Sequence, residues 1–219
     1  MPVTLEDIRR AAERISPHAH RTPVLTCESL NRRVGARVYS KCENLQRVGA
    51  FKFRGACNAV LSLSDAEAAR GVVAHSSGNH AQALALAARL RGIPAHIVMP
   101  ESAPAVKKAA VAGYGARITF CAPTLEARED AQERVVAATG AVVVHPYNDE
   151  RVIAGQGTAA LELLQEIPDL DAIIAPMGGG GLVSGTAVAA TELSPGIRVV
   201  GAEPEGADDA YRSLAAGRI

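Results

Sequence analysis

Lys52 lies between two phenylalanines in a segment whose residue types could perform amine chemistry. The segment Phe51-Lys52-Phe53-Arg54-Gly55 stands where a helical pattern begins. Desolvation at such a position disfavours the charged ammonium form, so we expect the pKa of Lys52 to fall. A neutral amine can attack a carbonyl carbon and form a Schiff base. Taken alone, a surface lysine whose stem packs along its helix is the commoner interpretation, and it stays open at this point.

A polar turn follows a predicted strand and opens a predicted helix. It reads Ser76-Ser77-Gly78-Asn79-His80. Glycine permits a tight turn, the helix N-terminus offers free amides, and Asn79 can donate from its side chain. An ordinary N-cap needs a single serine or asparagine. This turn carries more polar groups than a cap requires, which indicates a binding site.

A glycine loop also leads from a predicted strand into a predicted helix. Its four consecutive glycines are Gly178, Gly179, Gly180 and Gly181. Their backbone N–H groups can converge on an anion at the helix N-terminus, and phosphate is the natural guest. The loop lacks the Lys-Ser/Thr ending of a nucleotide-hydrolysing P-loop and the spacing of a dinucleotide fingerprint. A plain flexible turn is the alternative, although a turn rarely needs four glycines.

Short β-branched runs alternate with alanine-rich helical patterns after a capped N-terminal helix. The predicted strands lie at residues 38–40, 72–75, 96–99, 117–120, 141–144, 172–175 and 199–202. The predicted helices lie near residues 53–63, 79–90, 105–112, 125–138, 152–166 and 182–192. This alternation is typical of an α/β fold with parallel sheets and helices on both faces. Ligands bind such sheets at the carboxyl ends of strands, where the polar turn and the glycine loop both lie.

Charge and composition exclude several classes of protein. Lys plus Arg and Asp plus Glu both number 23, so the formal net charge is zero. A balanced charge argues against nucleic acid or an anionic membrane as a partner. No apolar run approaches the roughly 20 residues of a membrane helix, and the charged N-terminus lacks a signal-peptide core. We therefore expect a cytoplasmic protein. The scattered cysteines argue against a zinc site or a disulfide framework.

Taken in order, these segments resemble those of fold-type II pyridoxal-phosphate enzymes. The similarity is to the serine racemase, threonine/serine dehydratase and hydroxyaspartate dehydratase family. It runs from about Leu5 to the end and includes the IAGQGT stretch at residues 153–158 and Ala202-Glu203-Pro204. The resemblance implies a large cofactor-binding domain, residues 1–70 and 149–219, and a small domain, residues 71–148. It implies pyridoxal 5'-phosphate between them.

The resemblance also assigns roles to single residues. Lys52 would form the Schiff base with the cofactor beside Phe51, and Asn79 would meet the ring hydroxyl. The four glycines would hold the phosphate. Ser77 would face the substrate Cα from the side opposite Lys52. The residues implied to bind the substrate are Ser76, Ser77, His80 and Arg128. Ser76, His80 and Arg128 would surround its carboxylate. The alternative interpretation of Arg128 is an ordinary solvated charge on the protein surface.

A divalent cation is implied near the end of the sequence. Glu203, Ala207 and Asp209 match a cation site of serine racemase-like members. Two carboxylates and a backbone carbonyl suit a hard cation such as Mg²⁺ or Ca²⁺. An acidic surface loop is the alternative.

The implied activity is β-elimination from a hydroxy amino acid such as threonine or serine, giving a 2-oxo acid and ammonia. Serine racemisation shares the same carbanion and is one alternative. A truncated cofactor-binding homologue without activity is another, and a β-replacing synthase is a third that shares the fold. The family's chain continues past Ile219. We therefore expect the C-terminal part of the large domain, with the partner of the pyridine nitrogen, to lie outside this sequence. A full-length homodimer is expected.

Overall fold

The computed structural model describes residues 2–218, so the predicted domain ends at residues 1 and 219 lie outside it. The strands are β1 (Val24–Thr26), β2 (Tyr39–Lys41), β3 (Val72–His75), β4 (Ala95–Pro100), β5 (Arg117–Cys121), β6 (Val142–Val143), β7 (Ala172–Pro176) and β8 (Arg198–Ala202). The α-helices are α1 (Leu5–Ile15), α2 (Glu28–Val34), α3 (Lys52–Leu61), α4 (Asp65–Arg70), α5 (Asn79–Arg91), α6 (Ala105–Gly113), α7 (Leu125–Thr139), α8 (Glu150–Glu166), α9 (Gly181–Leu193) and α10 (Asp209–Ala216).

A parallel sheet of four strands, in the order β5-β4-β3-β6, has helices on both faces. Because side chains alternate along a strand, Ile97 and Met99 face the cluster that includes helix α5. Val98, between them, packs with Ala131 of α7 on the opposite face. The predicted α/β fold with a parallel sheet and helices is therefore confirmed, and β3 and β4 are its buried strands. All four strands lie within residues 71–148, and the division into two domains stays a prediction.

A second layer of helices surrounds α8. Helix α1 is capped by reciprocal hydrogen bonds between Thr4 and Asp7, and it buries Ile8, Ala11 and Ile15. Strands β7 and β8 form a separate parallel pair beside α9. Ile174 of β7 is 71% exposed, so one face of that pair is uncovered in the described residues. No helix among residues 2–218 is long and apolar enough to cross a membrane.

Glycines in α8 let three helices approach its backbone closely. A Cβ on Gly155 would lie 2.6 Å from the carbonyl oxygen of Arg54 in α3. A Cβ on Gly157 would lie 2.6 Å from a side-chain carbon of Ile8 in α1 and 2.9 Å from the carbonyl oxygen of Gly185 in α9. The IAGQGT stretch therefore serves helix packing.

Short elements were predicted less well. The strand expected at residues 38–40 is present as β2, one residue later, but it pairs antiparallel with β1. The sequence pattern predicted neither β1 nor helices α2, α4 and α10. A strand of three residues carries too little alternation to be recognised.

Candidate active site

Lys52 is the first residue of helix α3, and its amine is already held by the protein. Its Nζ donates a hydrogen bond of 2.7 Å to the carbonyl oxygen of Pro146. The same nitrogen lies 5.3 Å from the centroid of the Phe51 ring. Burial lowers the pKa of Lys52 from its ordinary value, in the expected direction. The lowered pKa favours the neutral form of the amine, and the hydrogen bond to Pro146 fixes the position of Nζ.

The polar turn joins the carboxyl end of β3 to the N-terminus of α5. The backbone of Ser76 donates to Val98 at 3.1 Å, and the amide of Gly78 donates to the Ser76 hydroxyl at 3.3 Å. Ser77 is half-buried and Asn79 is exposed. Within residues 2–218, neither of their side chains has a protein hydrogen-bond partner, so both are available to a ligand.

His80 lies behind this turn and is buried. Its Nε2 donates to the carbonyl oxygen of Val144 at 2.9 Å, because a carbonyl oxygen can only accept. Burial lowers the pKa of His80 to about 4, and the nearby charge of Lys52 acts in the same direction. The imidazole is therefore neutral near pH 7 and fastens α5 to the end of β6. The role expected for His80 beside a substrate carboxylate stays a prediction.

Arg128 stands in the first turns of α7, close to the end of β3. Burial is the main cause that lowers the pKa of His75, and the charge of Arg128 contributes to the shift. One helical turn further on, Gln132 accepts the amide of His75 at 2.9 Å. Arg128 donates a long 3.5 Å hydrogen bond to Pro123, and its Nε has no partner within the described chain. The guanidinium thus retains donor capacity near His75, the residue that precedes the polar turn.

The glycine loop, residues 178–181, connects β7 to α9. Gly180 has a φ of +84°, a conformation that other residues rarely adopt. In residues 2–218 the amides of Gly178, Gly179 and Gly180 make no hydrogen bond. No atom lies within 4 Å of the position that a Cβ on Gly178 would occupy. Free amides with open space at a helix N-terminus fit a phosphate group.

A segment that the sequence did not single out joins these parts. Residues 144–147, called here the 144–147 segment, follow strand β6. Val144 accepts from His80 in α5, and Pro146 accepts from Lys52 in α3. Tyr147 packs on the glycine loop at the start of α9. The segment therefore contacts the first turns of three helices. A run of His-Pro-Tyr directly after a predicted strand was the available signal.

His145 stabilises the turn at the end of this segment. Its Nδ1 accepts the amide of Asn148 at 2.9 Å and that of Tyr147 at 3.4 Å. Its ring meets the Tyr147 ring edge to face, with centroids 4.5 Å apart. Burial is the main cause that lowers the pKa of His145, and nearby His75 and Lys52 add to it. A neutral His145 is required for Nδ1 to accept.

A buried ionic network anchors the start of α3 two residues beyond Lys52. Arg54 is completely buried and forms bidentate pairs with Glu43 and Glu162, at distances of 2.7 to 2.9 Å. Glu162 also accepts from Lys41 at 2.6 Å, and Glu43 accepts from Thr22 at 2.6 Å. The two positive charges of the network, on Arg54 and Lys41, balance the two carboxylates. The network fixes α3 to α8 and to the segment after β2.

The residues expected to bind a divalent cation lie around the start of α10. The carboxylate of Glu203 accepts the amides of Ala210 at 3.3 Å and Tyr211 at 3.0 Å, and so caps that helix. Ala207 ends a short 3₁₀ turn and Asp209 begins α10. Among the described residues, no cluster of three or more His, Cys, Asp or Glu could hold a metal ion. The cation site stays a prediction.

Comparison with known proteins identifies relatives along the whole chain. Residues 15–219 match the family model described as "Pyridoxal-phosphate dependent enzyme". Serine racemase from Arabidopsis thaliana is 56% identical over 212 residues, covering 97% of this chain and 64% of the relative. The beta-hydroxyaspartate dehydratase of Paracoccus denitrificans is 56% identical over 216 residues, covering 99% of this chain and 69% of the relative.

Comparison with solved structures also identifies a serine racemase. The structure of maize serine racemase superposes with a TM-score of 0.98 at 51% identity, covering 100% of this chain and 67% of that one. The chain therefore spans about two thirds of the length of these relatives. Sequence and fold agree, and the chain belongs to the pyridoxal-phosphate dependent enzyme family.

Proposed function

We propose that this protein eliminates water and ammonia from a small hydroxy amino acid, such as threonine or serine, with pyridoxal phosphate as cofactor. One observation carries the proposal. The amine of Lys52 and the glycine loop are held by consecutive residues, Pro146 and Tyr147. This cofactor needs two groups from the protein. One is an amine that can react with its aldehyde, and the other is a set of free amides that can bind its phosphate. The names of the relatives support the class of substrate.

Bound pyridoxal phosphate supplies an aldehyde for the lysine and an electron sink for charge that develops at the substrate Cα. The amides of Gly178, Gly179 and Gly180 would hold its phosphate, Asn79 would donate to its ring hydroxyl, and Phe51 would lie beside it. The glycine amides and the Asn79 side chain fit the group because these donors are free within the described chain.

The protein's own groups would carry the protons. The lowered pKa of Lys52 favours a neutral amine, which can remove the proton from the substrate Cα. The hydroxyl of Ser76 and the guanidinium of Arg128 would bind the substrate carboxylate, and Ser77 would face the substrate Cα from the side opposite Lys52. Loss of the β-hydroxyl as water, followed by hydrolysis, gives a 2-oxo acid and ammonia.

Product analysis tests the elimination. The protein, loaded with pyridoxal phosphate, is incubated separately with L-serine, L-threonine and 3-hydroxyaspartate, and the 2-oxo acid and ammonia are measured. We expect equal amounts of both products from at least one substrate. Loaded protein that releases neither product from any of the three would refute the proposed reaction.

Racemisation is the second candidate, since two of the relatives carry the name serine racemase. Ser77 would supply the proton from the face opposite Lys52. We expect Ser77→Ala to reduce racemisation of L-serine much more than elimination. Chiral chromatography beside oxo acid assays measures both. An equal loss of the two activities would count against Ser77 as the second acid.

We also infer a Mg²⁺ or Ca²⁺ site formed by Glu203, the Ala207 carbonyl and Asp209. Their carboxylates lie at the start of α10, where Glu203 already orders the backbone. We expect Mg²⁺ to raise the melting temperature, EDTA to reverse the effect, and Asp209→Asn to abolish it. Glu205→Gln, an exposed neighbour, is the control. A melting temperature that is insensitive to both additions would remove the site.

We also infer from the resemblance a homodimer at full length. The cytoplasmic location expected from the sequence stays a prediction. Sedimentation velocity of the full-length protein would test the homodimer, because a monomer at all concentrations contradicts it.

A further inference from the structure

Tyr147 occupies the space beside the glycine loop that side chains would otherwise take. A Cβ on Gly179 would lie 2.2 Å from Cγ and Cδ1 of the Tyr147 ring. A Cβ on Gly181 would lie 3.0 Å from the Cα and carbonyl oxygen of Tyr147. Real Cβ atoms do not approach as closely as 2.2 Å, so Tyr147 requires the glycine at 179, and at 181 a Cβ would fit only if Tyr147 shifted by a few tenths of an ångström.

Contact with Tyr147 does not explain the glycines at the other two positions. Gly180 needs its positive φ, and Gly178 has open space around it. One side of the glycine loop therefore packs against Tyr147. The other side is open, and the amides of the loop are free there. A loop rich in glycine is flexible on its own, and packing against an aromatic ring restricts it.

The ring itself is held in place without being deeply buried. Tyr147 is 40% exposed, and its ring meets His145 edge to face. Its amide donates to His145 Nδ1. Its hydroxyl has no protein partner within residues 2–218, so the ring, more than the hydroxyl, makes the contact with the loop.

We propose that Tyr147 is a positioning residue for cofactor binding: its ring holds the 178–181 loop in the conformation that presents the amides of Gly178 to Gly180 to a phosphate. This inference rests on the proposed function, because it assumes that the loop receives the phosphate of pyridoxal phosphate. Neither the glycine motif nor the lysine motif of the sequence includes this residue.

A comparison of two ligands isolates the effect on the loop. Pyridoxal phosphate would contact Lys52, the residues around the ring and the glycine loop. Pyridoxal, which lacks the phosphate, would keep Lys52 and the ring contacts but would not bind the loop. Lys52 donates its hydrogen bond to the backbone carbonyl of Pro146, so truncation of the Tyr147 side chain does not remove the acceptor. Equilibrium dialysis and the visible absorption of the bound aldehyde measure both affinities without any turnover.

We expect Tyr147→Ala to weaken the affinity for pyridoxal phosphate by about tenfold, the value of a lost aromatic contact. Its affinity for pyridoxal should stay within about threefold of wild type. Tyr147→Phe, which keeps the ring, should retain both affinities. Tyr211→Ala is the matched control, since it removes a tyrosine that is 71% exposed on α10.

The outcomes separate the two proposals. Wild-type protein that binds neither compound would overturn the proposed function and this inference with it. Wild-type binding with an unchanged Tyr147→Ala affinity for pyridoxal phosphate would overturn this inference alone. An equal loss of both affinities would also overturn it, because the ring would then act on Lys52 or on the fold. Thermal unfolding of the unloaded variants checks that each one is folded.

Discussion

The side-chain amine of Lys52 donates a 2.7 Å hydrogen bond to the backbone carbonyl of Pro146, which is 94 residues away in sequence. That bond joins the first residue of α3 to the segment after β6. Because a backbone carbonyl carries no net charge, it orients the amine without stabilising the ammonium form as a carboxylate would. Burial can therefore lower the pKa of Lys52. The arrangement suits a lysine that must react as a neutral amine.

Replacement of this lysine should remove the attachment of the cofactor and leave the fold intact. We expect Lys52→Ala, mixed with pyridoxal phosphate, to lack the visible absorption band that borohydride bleaches. Lys107→Ala is the matched control, because Lys107 is exposed on α6. Absorption spectra before and after borohydride measure the difference. A bleachable band of wild-type intensity in Lys52→Ala would mean that another lysine carries the cofactor.

His80 should make the protein less stable in mild acid. Its pKa is about 4 in the folded chain against an ordinary value of 6.5. Between these two values the unfolded chain binds a proton that the folded chain does not. The free energy of unfolding should therefore fall as the pH drops from 6.5 to 4, by about 3 kcal/mol in full.

The variant His80→Gln tests this dependence. Glutamine can still donate to the carbonyl of Val144, but it does not titrate. We expect urea unfolding at several pH values to give a shallower acid slope for the variant than for wild type. The comparison cancels the contributions of other histidines. Parallel curves for the two proteins would show that His80 does not cause the loss.

Arg54 should contribute strongly to stability because its removal leaves Glu43 without a cation and Glu162 with Lys41 alone. Glu43 and Glu162 are both mostly buried. We expect Arg54→Met to lower the free energy of unfolding by about 3–5 kcal/mol. Arg32→Met breaks the exposed pair with Glu28 and should cost less than about 1 kcal/mol. Denaturant unfolding measures both, and similar losses would contradict the prediction.

The contact between α8 and α9 should not tolerate an added methyl group. A Cβ on Gly185 would lie 2.5 Å from the carbonyl oxygen of Ile153 and 2.6 Å from the amide nitrogen of Gly157. We expect Gly185→Ala to destabilise the protein by about 1–3 kcal/mol, because backbone must move. Gly113→Ala is the control, since no atom lies within 4 Å of its added Cβ. Equal melting temperatures for the two variants would refute the packing argument.

The sequence by itself determined the class of fold and the segments around the site. Apolar β-branched runs and alanine-rich helical patterns are local signals, and they placed β3 at residues 72–75 and the start of α5 at Asn79. The capping box of Thr4 and Asp7 spans four residues and was equally readable. The Phe51–Gly55 segment, the polar turn and the glycine loop together indicated the family, which the comparisons confirmed. Such features could be read because each depends on neighbours within one helical turn or one strand.

Only the tertiary structure decided how these segments meet. His80 reaches Val144 across 64 residues, and Arg54 reaches Glu162 across 108. The role of Tyr147 beside Gly179 depends on a contact of the same kind. Local patterns carry no information about such distances, because chain entropy lets distant segments meet in many ways until the whole core packs. The sequence therefore showed a glycine at position 179 as one of four in a candidate phosphate loop, and only the packed structure shows that the ring of Tyr147 leaves no room there for a side chain.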